Sequence, residues 1–388
     1  MTTARPRPPR VPEALFTGAG YFLPRLMFLN ARYAPQLHWG DVAVALDGFA
    51  AEVDLGSAAF WVEWLERWEA QAGRWEAVAD RATTAAGRSR ALRSAAACHH
   101  WAEFMYFDDA AVKLRLRQRI RELTRQALAG GELDISYGEL EPDEPCGPRV
   151  PYQLILPPAA VRPAGPLACV ILSNGLDSVT EVEVLSLAEA YLERGIAALL
   201  FDGPGQGVHV GQVPLRIEME SVVARLLEVV RADERIDAGR LGFLGVSFGG
   251  YLALRVAQEL GAEFRCVVNL SGGPLIAPFE GLPRRLKDDF RFALGCDDDR
   301  EIQARFDKLR IDPAARPATE VLSVHGALDD IFPLAALADL DEAWGAGHRL
   351  VVHEREAHVC LNLINVCSLD AADWVAERLL PPSTKRNP

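Results

Sequence analysis

LGFLGVSFGGYLALRVAQEL, residues 241–260, joins a short apolar run to an amphipathic run through Gly245-Val246-Ser247-Phe248-Gly249. The first run reads as a buried strand and the second as a helix, so the glycines mark a cramped strand-to-helix turn with Ser247 at its apex. Small residues on both sides let strand and helix approach closely. The serine is then either a bystander in a tight bend or a nucleophile pushed into a pocket, and the flanking sequence decides between them.

On both sides of this stretch the same alternation repeats. LACVILSNG, IAALLFDGPG, RCVVNLSGG, TEVLSVHG and HRLVVHERE are near-continuous apolar runs ending in turn residues, as expected of strands covered on both faces. VEVLSLAEAYLERG, IEMESVVARLLEVVRADERI, PLAALADLDEAW and LDAADWVAERLL are the amphipathic segments between and after them. DISYGEL and VPYQLILP, separated by the Pro- and Glu-rich EPDEPCGP, read as a hairpin-like entry. The expected fold is α/β, a mainly parallel eight-stranded sheet with right-handed crossovers, whose chemistry gathers at the C-terminal ends of the strands.

Upstream the period changes. FWVEWLERWEAQAGRWEAVADRA, SRALRSAAACHHWAEFMYF and DDAAVKLRLRQRIRELTRQALAGG carry large apolar residues every three or four positions and no proline. The expected organisation is a disordered segment 1–11, a helical domain 12–130, a catalytic domain 131–380 and a flexible tail 381–388.

Composition sets outer limits. Of 388 residues 24% are charged, and the net charge of −13 excludes a basic surface built for nucleic acid or anionic lipid. No run of about 18 apolar residues suggests a membrane span, and the Pro-rich N-terminus carries no secretory h-region. Seven scattered cysteines without a CxxC read as reduced thiols of a cytoplasmic protein, with neither disulfide frame nor zinc site.

Partners for Ser247 follow it in the chain. VLSVHGALDDIFP, 321–333, ends a strand and places Asp329 four residues after His325, where a carboxylate can orient an imidazole. Asp330 is its rival, and the spacing from His325-Gly326 favours Asp329. The last strand is followed by a loop bearing His358, while His348 and His353 belong to that strand and His325 to the preceding turn, in structural roles. The order Ser247, Asp329, His358 is that of a nucleophile, acid and base on this kind of sheet. An oxyanion hole needs two donors: the Phe248 N–H opens the helix, and the Leu176 N–H follows Asn174-Gly175 at the end of another strand. Asp177 and Glu181 either shape the pocket or cap the next helix. FDGPGQG, 201–207, fits neither phosphate-binding pattern and reads as a loop at the active-site mouth.

Together NGLDS, DGPGQG, GVSFGG and HGALDDIFP resemble the α/β-hydrolase subgroup with an N-terminal helical lid, which includes FrsA-like esterases, 2,6-dihydroxypseudooxynicotine hydrolases and polyketide-shortening hydrolases. The motifs carry the resemblance over about residues 130–380; the helical part matches in size and character only. It implies the triad Ser247, Asp329 and His358, the oxyanion donors Leu176 and Phe248, a helical lid, a homodimer, and no metal or organic cofactor. The implied substrate is a small molecule, cleaved at an ester or at a carbon–carbon bond next to a ketone, with Glu280 as the nearest carboxylate to assist the latter. Two rivals stand beside this reading: an esterase-like lyase eliminating acetate from an acetylated intermediate, and a non-catalytic small-ligand binder on the same scaffold. In CHHWAEFMYFDD, 98–109, Trp101 and Tyr106 either line an apolar substrate pocket or belong to the helical core.

Overall fold

The computed structural model describes residues 31–49, 57–142 and 147–381. The expected N-terminal segment 1–11, Cys146 and the end of the tail, 382–388, lie outside the described residues. Chain contacts divide the protein into two compact units, Met1–Ala129 and Gly130–Pro388.

The first unit is helical: α1 (Trp39–Ala45), α2 (Ala58–Asp80), α3 (Ala85–Glu103) and α4 (Ala110–Leu128). On α2, Phe60, Trp61, Trp64, Leu65, Trp68 and Ala72 recur at helical spacing and are buried. Trp64, Trp68 and Trp101 form a triangle of indoles with centroids 5.8 to 5.9 Å apart. Thr84 caps α3 by accepting the Gly87 N–H, and Asp109 caps α4 by accepting those of Ala111 and Val112. The apolar pattern in FMYF continues past the last turn of α3, so the expected second helical stretch overshoots: the helix ends at Glu103. Glu103 is fully buried between Lys113 Nζ at 2.6 Å and Arg117 Nε at 3.1 Å. Burial by itself would raise its carboxyl pKa, but Arg117, Lys113 and His100 outweigh that and hold it far below the usual carboxylate range.

The second unit carries one eight-stranded sheet, β1 (Asp134–Leu140), β2 (Val150–Leu156), β3 (Leu167–Ser173), β4 (Ala197–Phe201), β5 (Ile236–Val246), β6 (Cys266–Leu270), β7 (Glu320–Gly326) and β8 (His348–His353). The spatial order is β1-β2-β4-β3-β5-β6-β7-β8. β2 pairs antiparallel with β1 and β4, and every other pairing is parallel. Each residue of β3, β4 and β6 is buried, which is why these strands read as unbroken apolar runs.

Crossover helices α5 (Leu185–Leu192), α6 (Glu220–Ala232), α7 (Phe248–Leu260) and α10 (Leu334–Trp344), and the C-terminal helix α11 (Ile364–Leu379) after the last strand, fall where the amphipathic segments lie. Two further helices, α8 (Arg284–Leu294) and α9 (Asp299–Phe306), occupy a segment whose dense charge masks its period. Phe290 and Phe306 meet edge to face with centroids 4.8 Å apart and tie the two together. The chain leaves β3 for β4 on one side and later crosses to β5 on the other. The strand order therefore reverses between β3 and β5, the switch point at whose C-terminal ends open α/β sheets gather their ligand chemistry. Among the described residues no helix is long and apolar enough to cross a membrane.

Candidate active site

Ser247 stands at the end of β5 with φ 58° and ψ −117°, outside the basins an L-residue normally occupies. The glycines around it are geometric necessities. A Cβ on Gly245 would lie 1.7 Å from the Gly249 carbonyl oxygen, and one on Gly249 would lie 2.4 Å from that of Asn174. The turn holds because the Ser247 N–H donates to Leu270 O at 2.9 Å, and the Gly250 N–H donates back to Ser247 O at 2.8 Å.

Two other strand ends meet at this turn. β7 ends at Gly326, where a Cβ would lie 2.3 Å from the Ala357 carbonyl oxygen, so the loops after β7 and β8 lie in contact. The Ala327 N–H donates to His353 O and the Leu328 N–H to Glu356 O, at 3.0 and 2.9 Å. This apposition sets His358 between Ser247 and Asp329. Its Nδ1 is 2.8 Å from Asp329 Oδ2 and its Nε2 is 2.8 Å from Ser247 Oγ. A carboxylate only accepts, so Nδ1–H donates to Asp329, which leaves Nε2 to accept the Ser247 hydroxyl.

Asp329 is itself fixed: Oδ1 accepts the N–H groups of Ile331 and Phe332, both at 2.9 Å. Burial pushes its pKa up, but His358, His325 and the Phe332 N–H outweigh it and the net shift is downward, so the carboxylate stays charged. Asp330 is exposed and takes no part. His325 lies inside β7, not in the turn after it, and its Nε2–H donates to Phe332 O at 2.9 Å. Burial lowers its pKa and keeps the ring neutral beside Asp329. The ring of Phe332 stacks on that of His358 at 6.0 Å. His348 and His353 occupy the ends of β8, with His348 Nε2 2.7 Å from Ser323 Oγ.

The turn after β3 completes the group. A Cβ on Gly175 would lie 3.3 Å from Ser247 Cβ, so Asn174-Gly175-Leu176 runs directly beside the serine. Neither the Leu176 nor the Phe248 N–H donates to any described residue. Both remain available to an oxygen bound at Ser247.

The prolyl oligopeptidase family matches residues 218–379. The 2,6-dihydropseudooxynicotine hydrolase of Paenarthrobacter nicotinovorans is 29% identical over 300 residues, covering 74% of this chain and 76% of the relative. A crystal structure of the 2,6-dihydroxy-pseudo-oxynicotine hydrolase matches with a TM-score of 0.76 at 23% identity, over 92% of this chain and 95% of that one. This chain has the α/β-hydrolase fold. The 20-hydroxy-prefusarin hydrolase of Gibberella moniliformis is 38% identical over 117 residues, but the match spans only 29% of this chain and 28% of the relative.

The remaining expected site residues divide. Asp177 is buried directly after Leu176. Glu280 is exposed on a short turn, where its carbonyl accepts from Lys287 Nζ. Trp101 belongs to the indole triangle of the helical unit, and Tyr106 is buried in that unit too. Thr180, which sequence reasoning did not single out, and Asp202 and Gln206, which it placed only within a loop at the active-site mouth, surround the Asn174-Gly175 turn.

Proposed function

We propose that this protein uses Ser247 as a covalent nucleophile to cleave an ester, or a carbon–carbon bond next to a ketone, in a hydrophobic small molecule. The observation that carries the reading is His358, hydrogen-bonded at 2.8 Å to Ser247 on one ring nitrogen and to Asp329 on the other. As Ser247 Oγ attacks the carbonyl carbon, its proton passes to His358 Nε2, and the charge of Asp329 stabilises the imidazolium. The carbonyl oxygen becomes an oxyanion and accepts from the Leu176 and Phe248 N–H groups. His358 then protonates the leaving group, and water, deprotonated by the same nitrogen, releases the acid from Ser247.

A small-molecule substrate is favoured over a peptide because the sequence match along three quarters of the chain is to an enzyme named for a pseudooxynicotine, whereas the peptidase-family match covers the catalytic unit alone. We assign the helical unit the selection of substrate, expect a homodimer, and place the enzyme in the cytoplasm. The free thiols at all six cysteines among the described residues suit that compartment.

Reaction in oxygen-18 water tests the chemistry. Hydrolysis puts the label in the released acid and Ser247→Ala abolishes it. An unlabelled acid beside an alkene would mean elimination, and unchanged turnover in Ser247→Ala would mean that no acyl-serine forms.

A further inference from the structure

Gly203, Gly205 and Gly207 leave no room for side chains. A Cβ on Gly207, at φ +52°, would lie 2.0 Å from Asp202 Cγ, and one on Gly205, at φ +79°, would lie 2.2 Å from Leu215 Cα. The loop after β4 is thereby folded so tightly that Gln206 returns, fully buried, to the end of β3. Its Nε2 lies 2.8 Å from the Asn174 carbonyl oxygen and 3.0 Å from that of Gly175. Both neighbours are acceptors, so the amide must present its NH2 to them, one hydrogen to each.

The second contact has a directional consequence. Gly175 C=O and Leu176 N–H belong to one peptide group, which is planar and trans, so the two bonds point in opposite directions. A donor that holds the oxygen on the Gln206 side therefore turns the Leu176 N–H away from Gln206. The turn is also pinned through its side chain. Asn174 Nδ2–H donates to Asp202 Oδ1 at 2.9 Å, and the same oxygen accepts from Thr180 Oγ1–H at 2.6 Å and Thr180 N–H at 3.1 Å. Asp202 fixes where the turn sits, and Gln206 fixes how its central peptide is rotated.

We infer that Gln206 is a positioning residue for the reaction: it aims the Leu176 N–H at the oxyanion without touching the substrate. The inference rests on the serine mechanism proposed above. An oxyanion contact strengthens as charge develops, so misaiming it lowers kcat while leaving substrate binding nearly untouched. Loss of a whole oxyanion donor costs about a hundredfold to a thousandfold in kcat, and a rotated one should cost roughly tenfold to a hundredfold.

The test is Gln206→Met, which keeps the length and removes both donors, with p-nitrophenyl butyrate as substrate. The expected result is that fall in kcat, KM within about twofold, and a matching weakening of an aryl trifluoromethyl ketone, which forms an oxyanion on the serine. Gln206→Glu, which keeps the shape but presents a carboxylate to the two carbonyls, should lose kcat in the same selective way. If kcat is unchanged in a folded variant, or if kcat and KM shift together with the melting temperature, Gln206 only stabilises the loop and the inference fails. Ser247→Ala, run alongside, separates this failure from that of the mechanism: if it too keeps full activity, the serine reading itself is wrong.

Discussion

Replacing Asp329 with asparagine probes the least replaceable contact of the site. The side chain has two separate tasks: Oδ1 accepts two backbone N–H groups at 2.9 Å, and Oδ2 accepts the His358 N–H at 2.8 Å. Asparagine has one oxygen and cannot serve both. If the oxygen stays with the Ile331 and Phe332 N–H groups, the NH2 faces His358 Nδ1, which must then be the acceptor. The ring proton moves to Nε2, where it confronts Ser247 and removes the base. Turning the amide restores the useful tautomer but leaves two buried N–H groups without an acceptor, at about 1 to 3 kcal/mol each. With tenfold per 1.36 kcal/mol, the productive arrangement becomes roughly 30-fold to 10⁴-fold rarer. Steady-state hydrolysis of p-nitrophenyl butyrate should show kcat lower by that factor, with Asp330→Asn within about twofold of the parent. Asp329→Asn within tenfold of the parent, or an equal loss in Asp330→Asn, would refute the assignment of the acid.

Gly245→Ala would drive a methyl to 1.7 Å from a backbone oxygen and should cost more than about 3 kcal/mol, read as lost solubility or a collapsed melting transition. Gly347→Ala, with open space at its Cβ, should stay within about 1 kcal/mol. Glu76 is held at about 2 by its hydrogen bond to His99 and by Arg119, against the opposing effect of burial. A depressed carboxylate pKa stabilises the fold above the ordinary value and loses that contribution as pH falls through about 2. Water still reaches Glu76 and Arg119 and screens the pair, so Glu76→Gln should lower stability by only about 1 kcal/mol at pH 7, with the two denaturation curves converging toward pH 2.

What the sequence disclosed followed from range and contrast. β3 to β8 were legible because most are short apolar runs punctuated by glycine or acidic turns, and the serine turn because nothing but glycine fits at 245 and 249. Asp329 and His358 were legible as the loops after two such strands. Gln206 was not: its role depends on a contact with residues 31 and 32 positions away, and DGPGQG shows only that a tight loop exists. α8 and α9 went unassigned because Arg284, Arg285, Asp288, Asp298 and Asp299 bury the signal of Leu286, Phe290, Leu294 and Phe306. The end of α3 was overrun because Phe104, Met105 and Tyr106 extend its apolar pattern; the stop signal was Asp109, the cap of the next helix. Trp101 illustrates a limit of patterning, since spacing reports that a helix face is apolar but not what covers it.

The proposed mechanism requires a bond between Ser247 Oγ and the substrate. Intact and peptide mass spectrometry after exposure to a fluorophosphonate tests this most directly. One phosphonyl group should appear, located on Ser247, absent in Ser247→Ala and acquired far more slowly in His358→Ala. A folded protein that takes up no label, or takes it up on another residue, would contradict the account.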